Sequence, residues 1–322
     1  MMEPEIKPND TVNPSQFSGN TVFDRVGIAG QSFPQGTLYL VGMPIGNAAD
    51  ITLRALWILD IADVIACEDT RESRKVLDRY GITTHLIAVH EHNEASAAEK
   101  LIERLRAGER VALITDAGSP AVSDPGARVV ARVRQAGCPV SPIPGPSAVI
   151  AGMSAAGLNS YTFTFVGFVP PSKKARRQML AEYAARADAF VLYEAPHRIQ
   201  ELLADLAAAL SPERRVVVAR EMTKRFESFD AMRAGDLSAW AANMTPRGEY
   251  AIFVDSEERA EGGELPEDVR KWADAIAQSL PLSQSAALVS RVSGVKRDLV
   301  YSYLLEQKEH SEAGGGAAQV VH

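Results

Sequence analysis

The amino-acid sequence predicts an α/β protein with two α/β domains, the first built on a mostly parallel sheet, followed by a small helix-turn-helix unit. Three observations predict this fold class. Up to about Gly157, short apolar segments alternate with helical segments of about 10–15 residues, which is typical of βαβ units. From there to Asp255 strands and helices recur less regularly. A polar stretch then precedes a pattern of helix, turn and helix.

Five strands and the helices between them are predicted in the first domain, residues 36–156. The strands are expected at residues 37–42, 63–68, 85–90, 110–115 and within 138–145. Asp50 is predicted to cap a helix over residues 52–62, because its carboxylate can accept backbone N–H groups. Asn93 is predicted to cap a later helix in the same way.

The second domain, residues 157–255, is expected to contain strands at 161–168, 189–194, 214–221 and 248–255. Residues 256–265 are polar and are interpreted as a linker. Residues 266–308 then predict the helical unit, with a turn at Ser293–Gly294. Its apolar faces are expected to hold Ala286, Ala287, Val289, Val292, Val295, Leu299, Val300, Tyr303 and Leu304. A helical lid or a dimerisation element explains the same pattern about equally well.

The composition excludes several classes of protein. A chain of 322 residues with a net charge of −7 suits two domains and argues against a generally basic nucleic-acid binder, although a local basic surface is compatible with it. Cys67 and Cys138 lack a partner pattern, which disfavours a disulfide framework or a metal site and fits the cytoplasm. No apolar run suits a membrane span or a signal peptide. Residues 1–35 and 309–322 are predicted to be disordered.

Four loops of unusual composition follow predicted strands. They lie at residues 42–50, 67–73, 116–126 and 142–148. Because ligands bind at the carboxyl ends of the strands in an open α/β sheet, these loops are expected to converge on one site. Glycines let the backbone approach a ligand closely, and prolines fix a loop. Each loop alone is better explained as a tight turn, whereas the four together favour a binding site.

The residues of these loops favour a cofactor with a positive centre over a phosphorylated one. Neither the dinucleotide fingerprint GxGxxG nor the P-loop GxxxxGK[ST] occurs. The loops at 42–50, 116–126 and 142–148 contain no Lys or Arg, the residues that phosphate groups prefer, and they offer carboxylates. S-adenosylmethionine fits this chemistry, because it carries a sulfonium, an ammonium, an adenine and ribose hydroxyls.

Several segments in a fixed order resemble the ribosomal RNA small subunit methyltransferase I family, a bacterial branch of the tetrapyrrole-methylase-like superfamily. The segments are GTLYLVGMPIGN, ADVIACEDTRESRKVL, LITDAGSPAVSDPG, PIPGPSAVIAGMSAAGL and PHRI, with ARE and TK further on. The resemblance covers roughly residues 36–307. It implies two α/β domains, S-adenosylmethionine folded up in the cleft between them, and a homodimer. The implied reaction is methylation of the 2′-hydroxyl of a decoding-centre cytidine in 16S rRNA.

The resemblance also implies which residues bind the cofactor. They are Pro44, Gly46 and Asn47 in the first loop, Asp116, Ala117, Gly118, Ser119 and Pro120 in the third, and Ser147 and Ala148 in the fourth. Phe168, Tyr193, Glu194 and Glu249 of the second domain are expected to close over it. Met43 departs from the family, which more often has Thr there, and is expected to affect at most one contact in the cleft.

A ribose hydroxyl is a poor nucleophile, so a base or a polarising cation is expected near it. Glu68 or Asp69 could take the proton, and Arg71 could hold a phosphate. Alternatively, these charged residues form only a salt bridge within the loop, and the loop caps the following helix. His90 is a plausible base and equally plausible as a simple strand end, and His90 with His92 is weak support for a metal. Lys224 could polarise the hydroxyl, or belong to a solvated charged loop.

Two basic clusters could hold RNA despite the acidic total. The first consists of Lys173, Lys174, Arg176 and Arg177, and the second of Arg291, Lys296 and Arg297. A charge run is usually only a solvated surface, but an RNA substrate favours phosphate contacts here.

Two other functions stay open at this level. A tetrapyrrole methyltransferase of the same superfamily would need neither the basic clusters nor the C-terminal helices. A helix-turn-helix regulator with a ligand-sensing domain would need a more basic second helix. The partner implied by the resemblance is 16S rRNA, naked or in the assembled 30S subunit.

Overall fold

The computed structural model describes residues 16–17, 19, 21–90, 93–257 and 265–315. The chain separates into two compact units, Met1–Glu257 and Glu258–His322. The first unit contains two α/β subdomains, each with a five-stranded sheet. The predicted fold class is confirmed, while most of the expected linker and the second histidine of the His90 pair, His92, lie outside the described residues.

The first subdomain is built on a parallel sheet with the order β3-β2-β4-β1-β5. Its strands are β1 (Leu38–Val41), β2 (Val64–Cys67), β3 (Leu86–Ala88), β4 (Val111–Leu113) and β5 (Val140–Ile143). Its helices are α1 (Thr21–Arg25), α2 (Leu53–Ile61), α3 (Thr70–Asp78), α4 (Glu94–Arg106), α5 (Ala127–Gln135) and α6 (Ala148–Ala156). Every residue of β2 and β4 is buried, which explains their uninterrupted apolar sequence.

The caps of two helices differ from the prediction. Thr52 caps α2, because its hydroxyl accepts the N–H of Ala55 at 3.1 Å, whereas Asp50 lies in a preceding 3₁₀ turn. Asn93 stands at the start of α4 but makes no cap bond within the helix; its side chain accepts the N–H of His90 at 2.8 Å. The side chain of Asn93 therefore fixes the end of the preceding strand segment.

The predicted disorder of residues 1–35 is wrong for residues 21–35. Phe23, Ile28 and Phe33 are buried in the core that also contains Trp57 of α2. Gln16 extends this contact, since its backbone N–H donates to Asp60 at 2.8 Å. Widely spaced aromatic side chains carry this packing, so the segment shows no helical or strand periodicity. Residues 1–15 lie outside the described residues.

The second subdomain contains a mixed sheet with the order β6-β7-β10-β8-β9. Its strands are β6 (Phe163–Phe168), β7 (Ala189–Glu194), β8 (Arg215–Arg220), β9 (Ser228–Arg233) and β10 (Tyr250–Val254), and its helices are α7 (Lys173–Ala184), α8 (Ile199–Ala209) and α9 (Leu237–Asn243). Only β6 and β7 are parallel. Strand β9 was not predicted, because it is a half-exposed edge strand without a continuous apolar run.

The second unit consists of three helices around a core of its own. They are α10 (Glu267–Ala277), α11 (Leu282–Ser293) and α12 (Arg297–Gly315). Gly294 ends α11 with a φ of 72°, a left-handed conformation that glycine adopts without strain. Most of the predicted apolar residues line this core, but Val292 is 66% exposed, which corrects the prediction for that side chain. Helix α12 continues to Gly315, beyond the predicted start of the tail at 309.

Among the described residues, no helix has the length and apolar character needed to cross a lipid bilayer.

Candidate functional site

Three loops at the carboxyl edge of the parallel sheet are in direct contact. Met43 and Gly118 exchange two backbone hydrogen bonds of 2.8 and 3.0 Å, which join the loops after β1 and β4. A Cβ added to Gly42 would lie 2.9 Å from the Cα of Gly145, so the loop after β5 presses against the same place. The side chain of Met43 is buried in the core of the first subdomain. We therefore expect the Met in place of the more usual Thr to have little effect on the cleft.

The same loops meet the second subdomain. A Cβ on Gly46 would lie 2.7 Å from Cγ of Lys224, in the loop between β8 and β9. A Cβ on Gly167 of β6 would lie 2.7 Å from Oγ of Ser123, in the loop after β4. The predicted convergence thus produces a cleft between the carboxyl edge of the first sheet and one end of the second.

Backbone strain is concentrated in two loops of this cleft, the loop after β4 and the loop between β8 and β9. Among the described residues, the non-glycine positions with positive φ are Ala121 at 67°, Ser123 at 60°, Glu221 at 50° and Thr223 at 68°. Such conformations cost about 1–3 kcal/mol each and persist only where the surroundings enforce them. Each of these loops contacts the other subdomain, at Gly167 or at Gly46, which marks both as candidate functional segments.

Carboxylates form the wall of the cleft on the side of the parallel sheet. Burial, together with the neighbouring Glu68 and Asp116, raises the pKa of Asp124 to about 6. Burial also raises the pKa of Glu68 and of Asp116, and the negative charges of nearby aspartates add to both shifts. Asp124 was missed as a site residue, although it lies in the quoted segment LITDAGSPAVSDPG.

The other predicted catalytic residues of the second loop have different surroundings. Asp69 caps α3 by accepting the N–H of Arg71 at 2.7 Å, and this bond, with a second from Glu72, lowers the pKa of Asp69. A lowered pKa makes Asp69 a weaker base than Glu68. His90 lies close enough to Glu68 to oppose the rise in its pKa. Arg71 is exposed on the first turn of α3.

Lys224 is held by two carboxylates at the other side of the cleft. Its Nζ donates to Glu221 at 2.9 Å and to Glu249 at 2.7 Å. Burial alone would lower the pKa of Lys224, but the hydrogen bonds to Glu249 and Glu221 outweigh it and raise the pKa. The bond from Lys224 also lowers the pKa of Glu221. Glu221 was not among the predicted site residues; only its place directly after β8 hinted at it.

Two aromatic rings from the second subdomain border the cleft. Burial raises the pKa of Tyr193 to about 12, and the charge of Asp124 adds to the shift. The ring of Phe168 is 56% exposed and its centroid lies 5.7 Å from that of Tyr193. Glu194 was expected beside them, but its side chain is fully buried and lies 3.2 Å from Arg198. The side chain of Glu194 is therefore held inside the subdomain by Arg198, and its role toward the cofactor stays a prediction.

The remaining predicted cofactor residues lie in the same three loops. Asn47 caps a 3₁₀ turn by accepting the N–H of Ala49 at 3.0 Å, and Ser147 stands at the start of α6 without a cap bond. The others, Pro44, Asp116, Ala117, Gly118, Ser119, Pro120 and Ala148, occupy the segments joined by the Met43–Gly118 and Gly42–Gly145 contacts.

The first basic cluster is only partly available to a ligand. Lys173 and Lys174 are exposed at the start of α7. Arg176 is 1% exposed, and its guanidinium donates to Asp205 at 2.8 Å and to Glu201 at 2.9 Å. An RNA phosphate cannot reach Arg176, so its predicted role in RNA binding is wrong. Arg177 also pairs with Asp205 but remains 58% exposed.

In the second unit, the predicted basic residues flank the turn between α11 and α12. Arg291, Lys296 and Arg297 are all exposed there. Within the described part of the chain, no group of three or more His, Cys, Asp or Glu side chains is arranged to hold a metal ion.

The residues of the cleft fit S-adenosylmethionine. Glu68, Asp116 and Asp124 offer negative charge for its sulfonium and ammonium groups. Phe168 and Tyr193 offer flat apolar surface for an adenine. Gly46, Ala117 and Gly145 of these loops are exposed, so their backbone groups are open to hydroxyls and a base edge.

Comparison with known proteins places the chain in one family. Residues 37–238 match the family model of tetrapyrrole (corrin/porphyrin) methylases, and residues 263–308 match that of the RsmI C-terminal HTH domain. The chain is 42% identical over 276 residues to ribosomal RNA small subunit methyltransferase I of Escherichia coli O157:H7, an alignment that covers 85% of this chain and 96% of that protein. Its identity to the Mesorhizobium japonicum protein of the same name is 44% over 283 residues, covering 87% and 95%.

The fold has a solved relative as well. The structure of cobalt precorrin-4 methyltransferase, a cobalamin biosynthetic enzyme, superposes with a TM-score of 0.54 at 19% identity and covers 70% of this chain and 98% of its own. That similarity concerns the fold alone. The sequence matches go further, and the chain belongs to the tetrapyrrole methylase family of S-adenosylmethionine-dependent methyltransferases, in the branch of the ribosomal RNA small subunit methyltransferases I.

Proposed function

We propose that this methyltransferase modifies 16S rRNA, adding a methyl group to the 2′-oxygen of a decoding-centre cytidine. The observation that carries the proposal is the match to rRNA small subunit methyltransferases I along nearly their whole length. This match includes a C-terminal helix-turn-helix unit that lies outside the tetrapyrrole methylase region of the chain. A tetrapyrrole substrate gives no reason for such a unit.

S-adenosylmethionine, when bound, supplies an activated methyl group on a positively charged sulfur. Asp116, Asp124 and Glu68 offset that charge. The protein also holds the two reactants in the orientation needed for transfer, which lowers the activation free energy by about 7–11 kcal/mol in favourable cases. We expect the Gly42–Gly145 contact and the strained loop at residues 121–123 to hold these carboxylates in place.

The 2′-hydroxyl must lose its proton as it is methylated, and Asp124 is the acceptor we favour. With a pKa of about 6, Asp124 is ionised at neutral pH yet a stronger base than an ordinary aspartate. Glu68 is the second candidate, since burial and the charge of Asp116 raise its pKa as well. Asp69 is disfavoured because two backbone N–H groups already stabilise its charged form.

Lys224 is suited to position the RNA strand. Its ammonium stays charged between Glu221 and Glu249, and its alkyl chain packs against Gly46 of the first loop. From there it can bind a phosphate or polarise the hydroxyl. We also expect RNA phosphates to bind Lys173, Lys174 and Arg177. The exposed cations of the second unit are further candidates for phosphate contacts. A ribosomal substrate implies a cytoplasmic enzyme, and we expect it to act as a homodimer on the assembled 30S subunit.

Alkaline hydrolysis of labelled RNA tests the reaction. The protein would be mixed with methyl-labelled S-adenosylmethionine and 30S subunits from cells that lack this gene. A 2′-O-methyl group blocks cleavage of the adjacent phosphodiester, so label in an alkali-resistant dinucleotide supports the proposal. Label in a mononucleotide would place the methyl group on a base. Absence of label, with cofactor binding intact, would favour a tetrapyrrole substrate.

A further inference from the structure

A cavity of about 550 Å³ lies at the β8–β9 edge of the second sheet. Arg220 of β8, Asp230 of β9, Trp240 and Asn243 of α9, and Tyr250 of β10 contribute to its wall. A cavity of this volume is in the range of pockets that enclose small ring systems. None of these residues has a part in the methyl-transfer site described above.

The cavity is adjacent to the Lys224 side of that site. Arg220 and Tyr250 face each other across β8 and β10, and the residues next to them along the chain are Glu221 and Glu249. These two glutamates hold Lys224. An RNA strand that binds Lys224 through a phosphate would therefore bring a neighbouring nucleotide to the mouth of the cavity.

The side chains of the cavity suit a flat ligand with N–H donors at its edge. Trp240 is half-buried and packs against the core of the subdomain, so its ring is held in place as a stacking surface. Asp230 and Asp236 add carboxylates, which only accept hydrogen bonds. Asp230 accepts the hydroxyl of Ser228 at 3.0 Å, which orients its carboxylate. The guanidinium of Arg220 is fixed by its bond to the carbonyl of Arg247 at 2.8 Å.

We propose that this cavity binds a guanine base of the RNA strand close to the methylated nucleotide, an inference that rests on the proposed function. Guanine presents two adjacent donors, N1–H and the exocyclic amino group, and a single carboxylate can accept both. Trp240 stacks on the base and Asp230 accepts its donor edge. Single-stranded RNA is read in this manner, by stacking on aromatic side chains and by hydrogen bonds to base edges.

The kinetic test compares Asp230→Asn with Asp188→Asn. Asp188 is an exposed residue just before β7, at the opposite end of the sheet, so its substitution makes the same change of charge away from the cavity. We expect Asp230→Asn to raise the KM for 30S subunits about tenfold, with the Kd for S-adenosylmethionine unchanged, and Asp188→Asn to leave both at wild-type values. Equal KM values for the two variants would overturn the inference.

A second measurement does not depend on methylation. Tryptophan emission would be titrated with guanosine and inosine 5′-monophosphates, which differ only in the exocyclic amino group. We expect stronger quenching by the guanosine nucleotide, loss of the difference in Asp230→Asn, and loss of quenching in Trp240→Phe. Equal quenching by both nucleotides would refute guanine recognition. A protein that is quenched selectively by the guanosine nucleotide but does not methylate 30S subunits would support guanine binding in the cavity. The same result would contradict the proposed function.

Discussion

Replacing Asp205 by alanine should destabilise the second subdomain without touching Lys173 and Lys174, the exposed cations at the start of α7. Asp205 is 4% exposed and accepts hydrogen bonds from Arg176 at 2.8 Å and from Arg177 at 2.7 Å. Arg176 is 1% exposed, so its guanidinium cannot recover water when Asp205 is removed. Among the described residues, Glu201, whose side chain is 70% exposed, would remain as its ion-pair partner.

The magnitude follows from this geometry. Removing one partner of a buried ion pair costs about 3–5 kcal/mol, because a buried charge is left without compensation. The remaining bond to Glu201 places the expected loss near the lower end, about 3 kcal/mol, or roughly a hundredfold in the folding equilibrium. Glu201→Ala removes an exposed partner and should cost at most about 1 kcal/mol.

Urea unfolding followed by far-UV circular dichroism and by tryptophan emission would measure both losses. Burial disfavours the charged form of Asp205, but the hydrogen bonds from Arg177 and Arg176 outweigh it and lower its pKa. The stabilisation is therefore complete above the unfolded-state pKa, about 4, and disappears as the pH falls through the lower folded-state pKa. Equal losses for Asp205→Ala and Glu201→Ala, or RNA affinity that falls in a folded Arg176→Ala variant, would refute the reasoning.

Three further outcomes are expected. The double variant Lys173→Glu/Lys174→Glu should leave the Kd for S-adenosylmethionine unchanged and lower RNA methylation. The slope of log affinity for RNA against log salt concentration should fall by about 1–2. Methylation that is insensitive to salt would contradict this prediction. Gly145→Ala places a Cβ 2.9 Å from the Cα of Gly42 and should weaken cofactor binding at least tenfold, as measured by calorimetry. The control Gly235→Ala adds a Cβ that makes only ordinary van der Waals contacts and should leave cofactor binding unchanged. Cofactor binding at pH 6 should release about half a proton, because the positive centre of the cofactor favours the ionised form of Asp124. Calorimetry in two buffers would detect the proton release. Release that persists in Asp124→Asn would exclude Asp124 as the source.

The alternation of apolar strands and helices was sufficient to predict the α/β class and the convergence of loops on one sheet edge. The reason is that burial of a parallel sheet on both faces requires uninterrupted apolar strands, as in Val64–Cys67. The absence of Lys and Arg from three of the loops likewise indicated a cofactor with a positive centre. These features are local, and a single segment of the chain is enough to express each of them.

The side chains that the sequence misplaced depend on neighbours far along the chain. From the sequence Arg176 is predicted to be a surface cation, but in the folded chain it is buried against Asp205. The segment around Phe23 is predicted to be disordered, but in the folded chain Phe23 packs against Trp57. Asp124 is an ordinary loop aspartate in the sequence; only the fold brings Glu68 and Asp116 near it and removes part of its water, which raises its pKa. The sequence by itself determined the fold class and the chemistry of the cofactor, whereas burial and electrostatic proximity, which exist only in the folded chain, decided which charges are available to act.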